Sequence, residues 1–288
     1  MIAAFLAMAL GAAGAVVWQP AGAIEPVEID APGSVASDGP TQVVTDHFQI
    51  EGGAHMPLGL CADAAELTLV LASDLMGLEG ERIATDRLPI YLCDSKAEIT
   101  SVEHGLGAWN PSRNNPWGHG FFYYRGPAVT LLYNPRRTPG GVPHEVTHWI
   151  VSHFTRRCPR IINEGLASYI DAEVLLTMPE QKPLGQAAIA RRFALLSRFK
   201  SAHPDLQLAS LFHLRGKQFE DSRLYAAGWA LAHTLFRYEK RRRGTLRELL
   251  KDYGSRGKRR DPWEVFAKRY PVQWVENEWR EFIATVTR

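Results

Sequence analysis

The feature that most constrains this chain is the segment His144-Glu145-Val146-Thr147-His148. On a helix, two histidines four residues apart lie one above the other on the same face, so both imidazoles can reach one metal ion. Glu145 projects from the same turn and can hold a water molecule beside that metal, as a general base does. The H-E-x-x-H pattern therefore predicts a helix that carries two metal ligands and a catalytic carboxylate.

Two histidines do not complete a catalytic zinc site, which needs a third protein ligand and an open position. The metzincin scheme would place a third histidine at position 154, but Phe154 stands there and His153 is one residue out of register. The reversed form of the motif is absent. Glu164 lies sixteen residues after His148, which leaves room to end one helix and begin a second that runs back past the first. The sequence thus predicts one Zn²⁺ per chain, bound by His144, His148 and Glu164.

Three blocks of the sequence together resemble a known group of zinc peptidases. His144–His148 is followed by Asn163-Glu164-Gly-Leu-Ala-Ser-Tyr169 and then by Tyr225-Ala-Ala-Gly228 at the start of a hydrophobic stretch. These blocks look like the gluzincins, the clan of thermolysin and of the alanyl and leukotriene-hydrolase type aminopeptidases. The second block is most similar to the aminopeptidase branch and to small bacterial peptidase-like relatives. The resemblance implies a zincin-like fold, Glu145 as the general base and Tyr225 as a hydrogen-bond donor to the tetrahedral oxyanion; the alternative for Tyr225 is a core tyrosine on an apolar helix.

The sequence also departs from the pattern of these families. The Gly-x-Met-Glu-Asn segment, which binds the free amino terminus of substrates in the aminopeptidase branch, is absent, and the corresponding stretch 126–133 has no carboxylate. In thermolysin an acidic residue four positions after the third ligand orients a histidine; Ser168 stands at that position, and Asp171, further along, is a weak substitute. Aminopeptidase specificity is therefore not implied.

The amino-terminal segment differs in character from the rest of the chain. Residues 2–18 carry no charge and are rich in Ala, Leu and Val, and a small-residue site ends at Ala23. This pattern predicts a secretory signal peptide at 1–23, and hence a secreted, periplasmic or cell-envelope protein. An uncleaved membrane anchor is the alternative. Residues 24–40, rich in Pro, Gly, Ser and Asp, predict a linker before a catalytic domain at 41–288.

Within that domain the strand patterns come first and the helical patterns last. We therefore predict an α+β fold with a strand-containing lobe at 41–157, a mostly helical lobe at 158–288 and the H-E-x-x-H helix at their junction. Predicted strands lie at 43–50, 87–93, 121–124 and 128–133. Predicted helices lie at 60–78, 95–104, 143–155, 164–177, 184–200, 219–242, 245–253, 262–270 and 272–286. Ser95 is the expected N-cap of the second helix, with Glu98 completing a capping box.

Cysteines and charge add weaker constraints. Of the three cysteines, Cys61 and Cys93 are the likeliest disulfide pair, and free thiols are the alternative. The net charge of +2 is too mild to imply a nucleic-acid or membrane partner. The basic stretch 237–260 predicts a solvated face, with an anionic partner as the minor alternative.

The sequence therefore predicts an exported zinc-dependent peptidase that acts on a peptide or protein substrate through metal-activated water. The strand pair at 121–133 offers an edge to which an extended peptide could add. His119, in the loop before these strands, is a candidate substrate contact. Two alternatives stay open: a catalytically silent zinc- or substrate-binding module, and a non-peptidase amide or ester hydrolase that uses the same site. Oligomeric state and endo- or exopeptidase action are not predicted.

Overall fold

The computed structural model describes residues 41–79, 81, 83, 86–107, 120–124, 127–135, 138–214, 221–255 and 260–287. All of them belong to one compact unit, Ser37–Arg288. The predicted signal peptide (1–23), the predicted linker (24–40) and the candidate contact His119 lie outside the described residues. No helix within the described part of the chain is both long and apolar enough to span a membrane.

Five strands form one mixed sheet. They are β1 (Gln42–Val44), β2 (Phe48–Glu51), β3 (Leu88–Cys93), β4 (Gly120–Tyr123) and β5 (Ala128–Leu132), in the spatial order β1-β2-β3-β5-β4. The three inner strands are parallel, and the two outer strands β1 and β4 are antiparallel to their neighbours. β4 is thus a sheet edge, and its antiparallel pairing with β5 confirms the predicted strand pair at 121–133.

The predicted single strand at 43–50 is wrong, because the chain reverses direction within it. The Thr45 N–H donates to the Phe48 carbonyl at 2.9 Å, and the Thr45 hydroxyl accepts from the Phe48 N–H at 3.1 Å. This side-chain hydrogen bond closes a tight turn between β1 and β2. The result is the antiparallel β1–β2 hairpin instead of one long strand.

Ten α-helices lie in the described residues and match most of the predicted ones. They are α1 (Leu58–Met76), α2 (Lys96–Gly105), α3 (Val142–Phe154), α4 (Arg160–Thr177), α5 (Lys182–Ala202), α6 (Leu208–Leu211), α7 (Ser222–Glu239), α8 (Thr245–Gly254), α9 (Pro262–Ala267) and α10 (Val272–Val286). The short helix α6 was not predicted. The predicted cap at Ser95 is confirmed, since its hydroxyl accepts from the Glu98 N–H at 3.2 Å. The Glu98 carboxylate accepts from the backbone N–H of Asp94, whereas the predicted capping box would have it accept from the N–H of Ser95. The reciprocal hydrogen bond is therefore made one residue before the predicted position.

Helix α4 begins four residues before its predicted start. We predicted Asn163 as the residue before the helix, but the helix starts at Arg160, directly after Pro159. Proline suits the entry to a helix because the first N–H groups of a helix have no partner within it. Asn163 therefore lies inside α4, and its side chain is available for the site.

The carboxyl-terminal helices are joined by buried polar contacts as well as by apolar packing. Glu239, the last residue of α7, is 5% exposed and accepts from the backbone N–H groups of Gly244 at 2.7 Å and Leu246 at 2.6 Å. The Tyr270 hydroxyl donates to the same carboxylate at 3.2 Å. Glu239 thus satisfies the unpaired donors at the start of α8, which a helix cannot satisfy from within.

The basic stretch 237–260 is partly neutralised inside the molecule. Arg243 pairs with Asp74 at 2.9 Å and with Glu79, and Lys251 pairs with Glu81 at 2.6 Å. These pairs join the end of α1 and the residues that follow it to α8 and the residue Arg243 before it. Residues 256–259 lie outside the described part of the chain.

The three cysteines are free thiols in the structure, so the predicted Cys61–Cys93 pair is not formed. Cys61 lies inside α1 and Cys93 ends β3, and both are buried in the core. Their thiols pack as small apolar groups, which is the usual state of a buried free cysteine.

The architecture is α+β, as predicted: a small mixed sheet is followed by a mostly helical carboxyl-terminal part. Helix α3 lies against the sheet, where Trp149 meets Phe48 of β2 edge to face at 5.6 Å. Its helical neighbours are α1, α4 and α8. The H-E-x-x-H helix therefore stands between the sheet and the helical part, as predicted.

Candidate metal centre

Three predicted ligands come together between α3 and α4. The Nε2 atoms of His144 and His148 are 3.2 Å apart. The Oε2 atom of Glu164 is 3.3 Å from His144 Nε2 and 3.5 Å from His148 Nε2. His148 and Glu164 are each only 8% exposed. These three residues form the only group in the described part of the chain with the composition and spacing of a metal site.

The distances suit a tetrahedral ion. Ligand atoms about 2.0–2.1 Å from a four-coordinate zinc are about 3.4 Å from one another. The three measured separations, 3.2, 3.3 and 3.5 Å, bracket that edge length. Two imidazoles and one carboxylate are also the donor types of catalytic zinc sites. These side chains fit one metal ion and leave a fourth position open.

Electrostatic attraction between the two histidines and the Glu164 carboxylate favours the close approach of the three side chains. Burial alone would lower the pKa of His148, but the Glu164 carboxylate raises it to about 9. Burial would likewise raise the pKa of Glu164, but His148 and His144 hold it far below its ordinary value. The carboxylate thus stays ionised although it is buried. Because burial removes water from the ionised Glu164 carboxylate, a cation bound among these atoms would be attracted to it strongly.

The start of α3 is fixed by a carboxylate from α4. Gly141 precedes the helix with φ of +95°, a conformation that side chains disfavour. Its N–H donates to Asp171 Oδ1 at 3.1 Å, and Arg192 lies 3.7 Å from the other oxygen of that carboxylate. We considered Asp171 as a weak substitute for a residue that orients a histidine. It instead ties the two ligand-bearing helices together.

Glu145 lies beside the metal group and beneath the edge strand. Burial raises the pKa of its carboxyl group, whereas His148 and His144 lower it. The backbone of Phe122 in β4 hydrogen-bonds this carboxylate. A Cβ at Gly120 would lie 3.1 Å from Glu145 Oε1 and 2.4 Å from a methyl carbon of Leu131. Glycine at this position therefore lets the edge strand pass close to the carboxylate.

Asn163 is a site residue that the sequence analysis missed. Its amide lies close enough to His148 to raise the pKa of the imidazole, and it also hydrogen-bonds the Tyr124 hydroxyl. His148 Nδ1 and Asn163 Oδ1 are both buried, and neither completes a hydrogen bond of ordinary geometry. An N–H at His148 Nδ1 can donate a hydrogen bond and Asn163 Oδ1 can accept one. Asn163 is therefore the matching partner for the ring nitrogen that faces away from the metal group. Such partners fix the tautomer and orientation of a metal-binding histidine.

Tyr124, the residue directly after β4, was missed as well. Burial raises the pKa of its hydroxyl, and Cys158, Glu164 and Glu145 raise it further. Tyr124 precedes the first ligand, His144, by twenty residues, so only the sheet-to-helix packing reveals its position. The one available signal was its place at the end of an edge strand.

Tyr225 lies close enough to Glu164 and Glu145 for both carboxylates to act on its phenol. Burial raises the pKa of its phenol to about 12; the Glu164 and Glu145 carboxylates raise it, and the Arg160 guanidinium, which hydrogen-bonds the phenol, lowers it. The phenol is therefore protonated near neutral pH and can donate a hydrogen bond. Tyr225 is half-buried and also packs against the hydrophobic core, so the alternative of a core tyrosine on an apolar helix stays open.

Two glycines bring Tyr225 to the ligands. A Cβ at Gly165 would lie 2.3 Å from the Gly228 carbonyl oxygen, and a Cβ at Gly228 would lie 2.7 Å from the Ile161 carbonyl oxygen. Helices α4 and α7 therefore cross with their backbones in contact. Gly165 follows Glu164, and Gly228 lies one turn after Tyr225. The crossing accounts for the glycine in each of the two motifs.

Three further histidines of the described residues lie outside the metal group. His153 is bonded through Nδ1 to the Trp149 carbonyl at 2.9 Å, which agrees with its exclusion as a ligand. His233 is buried between aromatic rings and stacks on Phe282 at 4.2 Å. His213 is 3.6 Å from Asp261 at the surface. All three have structural or surface positions.

No protein-family model matches this sequence, and no curated protein matches it either.

Proposed function

We propose that this chain is a zinc-dependent peptidase of the gluzincin type. The observation that carries the proposal is the triangle of His144, His148 and Glu164 atoms with edges of 3.2, 3.3 and 3.5 Å. Glu145 lies beside that triangle, as the general base of this class requires. A buried ion pair alone would not need two imidazoles aimed at the same carboxylate oxygen.

His144, His148 and Glu164 would hold the zinc, with Asn163 fixing the orientation of His148. When bound, zinc supplies Lewis-acid chemistry, lowering the pKa of water and polarising a carbonyl group. Glu145 accepts the proton of the attacking water at its carboxylate and delivers it to the leaving amine. A carboxylate can serve both steps, because it accepts a proton while ionised and donates that proton once protonated.

Tyr225 would donate a hydrogen bond from its phenol to the developing oxyanion. Its pKa of about 12 keeps the donor protonated at neutral pH. Donors that are already oriented towards the position of developing charge contribute strongly to catalysis in partly buried sites. The backbone contact between α4 and α7 fixes this donor relative to Glu164.

The edge strand β4 would bind the substrate as an added strand. β4 is antiparallel to β5 on one side and is the last strand of the sheet. Its backbone passes directly over Glu145 at Gly120 and Phe122. An extended peptide that pairs with this edge brings its amide bonds to the general base.

We also propose that the enzyme acts outside the cytoplasm. The support is the uncharged segment 2–18 and the small-residue site that ends at Ala23. Amino-terminal sequencing of protein recovered from the cell envelope or medium is expected to begin at Ile24. An amino terminus at Met1 would instead support the uncleaved anchor.

The decisive experiment compares the zinc-loaded protein with its Glu145→Gln variant on a denatured proteome, with cleavage sites read by mass spectrometry. The unaltered protein is expected to cleave, and the variant is expected to lose about two to four orders of magnitude in rate while it keeps one zinc per chain. Equal cleavage by the two proteins would refute the mechanism. One bound zinc without cleavage of any peptide would indicate the silent binding module. Hydrolysis of small esters or amides without proteolysis would indicate the other hydrolase class.

A further inference from the structure

We propose, on the basis of the peptidase function above, that the site selects substrates that carry a carboxylate near the scissile bond, and that Arg156 binds that carboxylate. Arg160, which is paired with Glu164, supplies a second positive charge next to the metal group. Both arginines lie on the short connection between α3 and α4 or on the first residue of α4. The two helices that bear the ligands thus position the two cations.

Arg156 is exposed yet held in place. Its Nη2 donates to the Tyr124 carbonyl oxygen at 2.9 Å, and its guanidinium carbon lies 6.0 Å from the centre of the Tyr124 ring. Tyr124 in turn bonds Asn163, the partner of His148. A guanidinium that is already fixed loses less conformational entropy when it binds a carboxylate. Arg156 is therefore an oriented cation at the rim of the metal group.

Arg160 brings positive charge closer to the ligands. Its Nε is 3.5 Å from Glu164 Oε1, and its guanidinium also bonds the Tyr225 phenol. Arg160 therefore positions Tyr225 and also makes the electrostatic potential near the ligands more positive. A substrate carboxylate next to the oxyanion position would meet this charge together with that of Arg156.

Strand β4 carries no acidic residue that could balance Arg156, whereas Arg160 is already paired with Glu164. The carboxylates that act on Tyr124 and Tyr225 are those of Glu145 and Glu164, and both already have roles in the metal group. Strands β4 and β5 contain no acidic residue. The site is therefore built to attract a substrate anion and has no described carboxylate on these strands to bind a substrate amine.

The position of Arg156 relative to the edge strand defines where the carboxylate binds. β4 ends at Tyr123, and the next residue, Tyr124, holds Arg156 through its carbonyl group. A peptide paired with the outer edge of β4 passes this point. Its carboxylate can come from an acidic side chain or from the carboxyl terminus, and both offer the planar pair of oxygens that a guanidinium binds.

The test uses binding as well as turnover. Zinc-loaded Glu145→Gln protein is titrated with fluorescent peptides of one sequence that carry either Asp or Asn at each flanking position in turn, and either a free or an amidated carboxyl terminus. The carboxylate peptides are expected to bind about tenfold more tightly than their neutral counterparts, which is the usual effect of one charge-assisted hydrogen bond. The position that shows the difference distinguishes an acidic side chain from the carboxyl terminus.

Variants assign the effect to Arg156. Arg156→Gln is expected to abolish the preference, Arg156→Lys to retain part of it, and Arg157→Gln, an exposed cation one residue away, to leave it unchanged. The preference is also expected to shrink as salt concentration rises, because exposed charges are screened. Unfolding temperatures of the variants check that each one folds.

Three results would overturn the proposal: equal binding of the paired peptides, a preference that survives in Arg156→Gln, or a preference that is lost equally in Arg157→Gln. Cleavage of acidic and neutral peptides at equal rates would reject the selectivity while the peptidase function stands. Failure of the unaltered enzyme to cleave any of these peptides, with binding preserved, would count against the peptidase function instead.

Discussion

Gly165→Ala tests whether the crossing of α4 and α7 organises the site. Two physical effects oppose each other at this position. Alanine in a helix is favoured over glycine by about 1 kcal/mol, so propensity alone predicts a more stable protein. Packing predicts the reverse, because the new Cβ would lie 2.3 Å from the Gly228 carbonyl oxygen and 3.1 Å from its Cα.

The packing cost is the larger effect. The Cβ would be roughly 1 Å short of ordinary van der Waals contact, and both sides of the clash are backbone, which has no rotamer to change. Overpacking of this kind costs about 1–3 kcal/mol, and the rigid surroundings place Gly165 at the upper end. After the gain in propensity, we expect a net loss of about 2 kcal/mol in the free energy of unfolding. In a domain of this size, this lowers the melting temperature by about 4–8 °C.

The assay is urea unfolding together with the zinc content of the folded protein. Zinc affinity is expected to fall as well, because the clash would push α4 away from α7 and so displace the ligand Glu164, which precedes Gly165. Gly59→Ala is the matched control: Gly59 also lies in a helix, but nothing is within 4 Å of its added Cβ, so the variant should be as stable as the unaltered protein or slightly more stable. A Gly165→Ala protein that matched this control in stability and zinc content would refute the close crossing.

Three further predictions concern other buried groups. Asn163→Ala is expected to weaken zinc binding about 10–100-fold by releasing the orientation of His148, measured by competition with a chromogenic chelator; unchanged affinity would remove Asn163 from the site. Burial lowers the pKa of His233 to about 4 from 6.5, so between these values the unfolded chain binds a proton that the native protein does not. The free energy of unfolding should therefore decrease as pH falls through this window, by up to about 3 kcal/mol, and His233→Phe should show a correspondingly flatter pH profile in denaturant titrations. Glu239→Gln is expected to cost about 1–3 kcal/mol although it preserves shape, because each oxygen of the carboxylate accepts a backbone N–H and the amide must turn an NH₂ towards one of them; calorimetry that found no loss would contradict this.

Much of the fold could be predicted because local periodicity decided it. The alternation of buried and half-buried residues in β3 and the helical spacing in α1 both survive in the structure. The errors lie where a side chain overrode the pattern. Thr45 closes a turn inside an apolar stretch, and Asn163 resembles an N-cap by residue type but lies within α4. Residue type alone does not distinguish a capping amide from an amide that faces the site.

The site could be predicted in its ligands but not in its surroundings. His144, Glu145, His148 and Glu164 form a sequence motif because two helices with a short connection carry them all. Tyr124 comes from a different strand, and its proximity depends on how β4 packs over α3. Contacts between elements distant in sequence leave no periodic signal, so the second layer of the site required the three-dimensional structure.

The central claim is that His144, His148 and Glu164 bind a single zinc ion. X-ray absorption at the zinc edge of the purified protein, together with its metal content, measures this directly. We predict one zinc per chain with two imidazole nitrogens and oxygen ligands at about 2.0–2.2 Å, and loss of the bound zinc in Glu164→Ala. A protein that binds no zinc at micromolar concentration, or whose zinc has sulfur ligands or is retained unchanged in Glu164→Ala, would contradict the account.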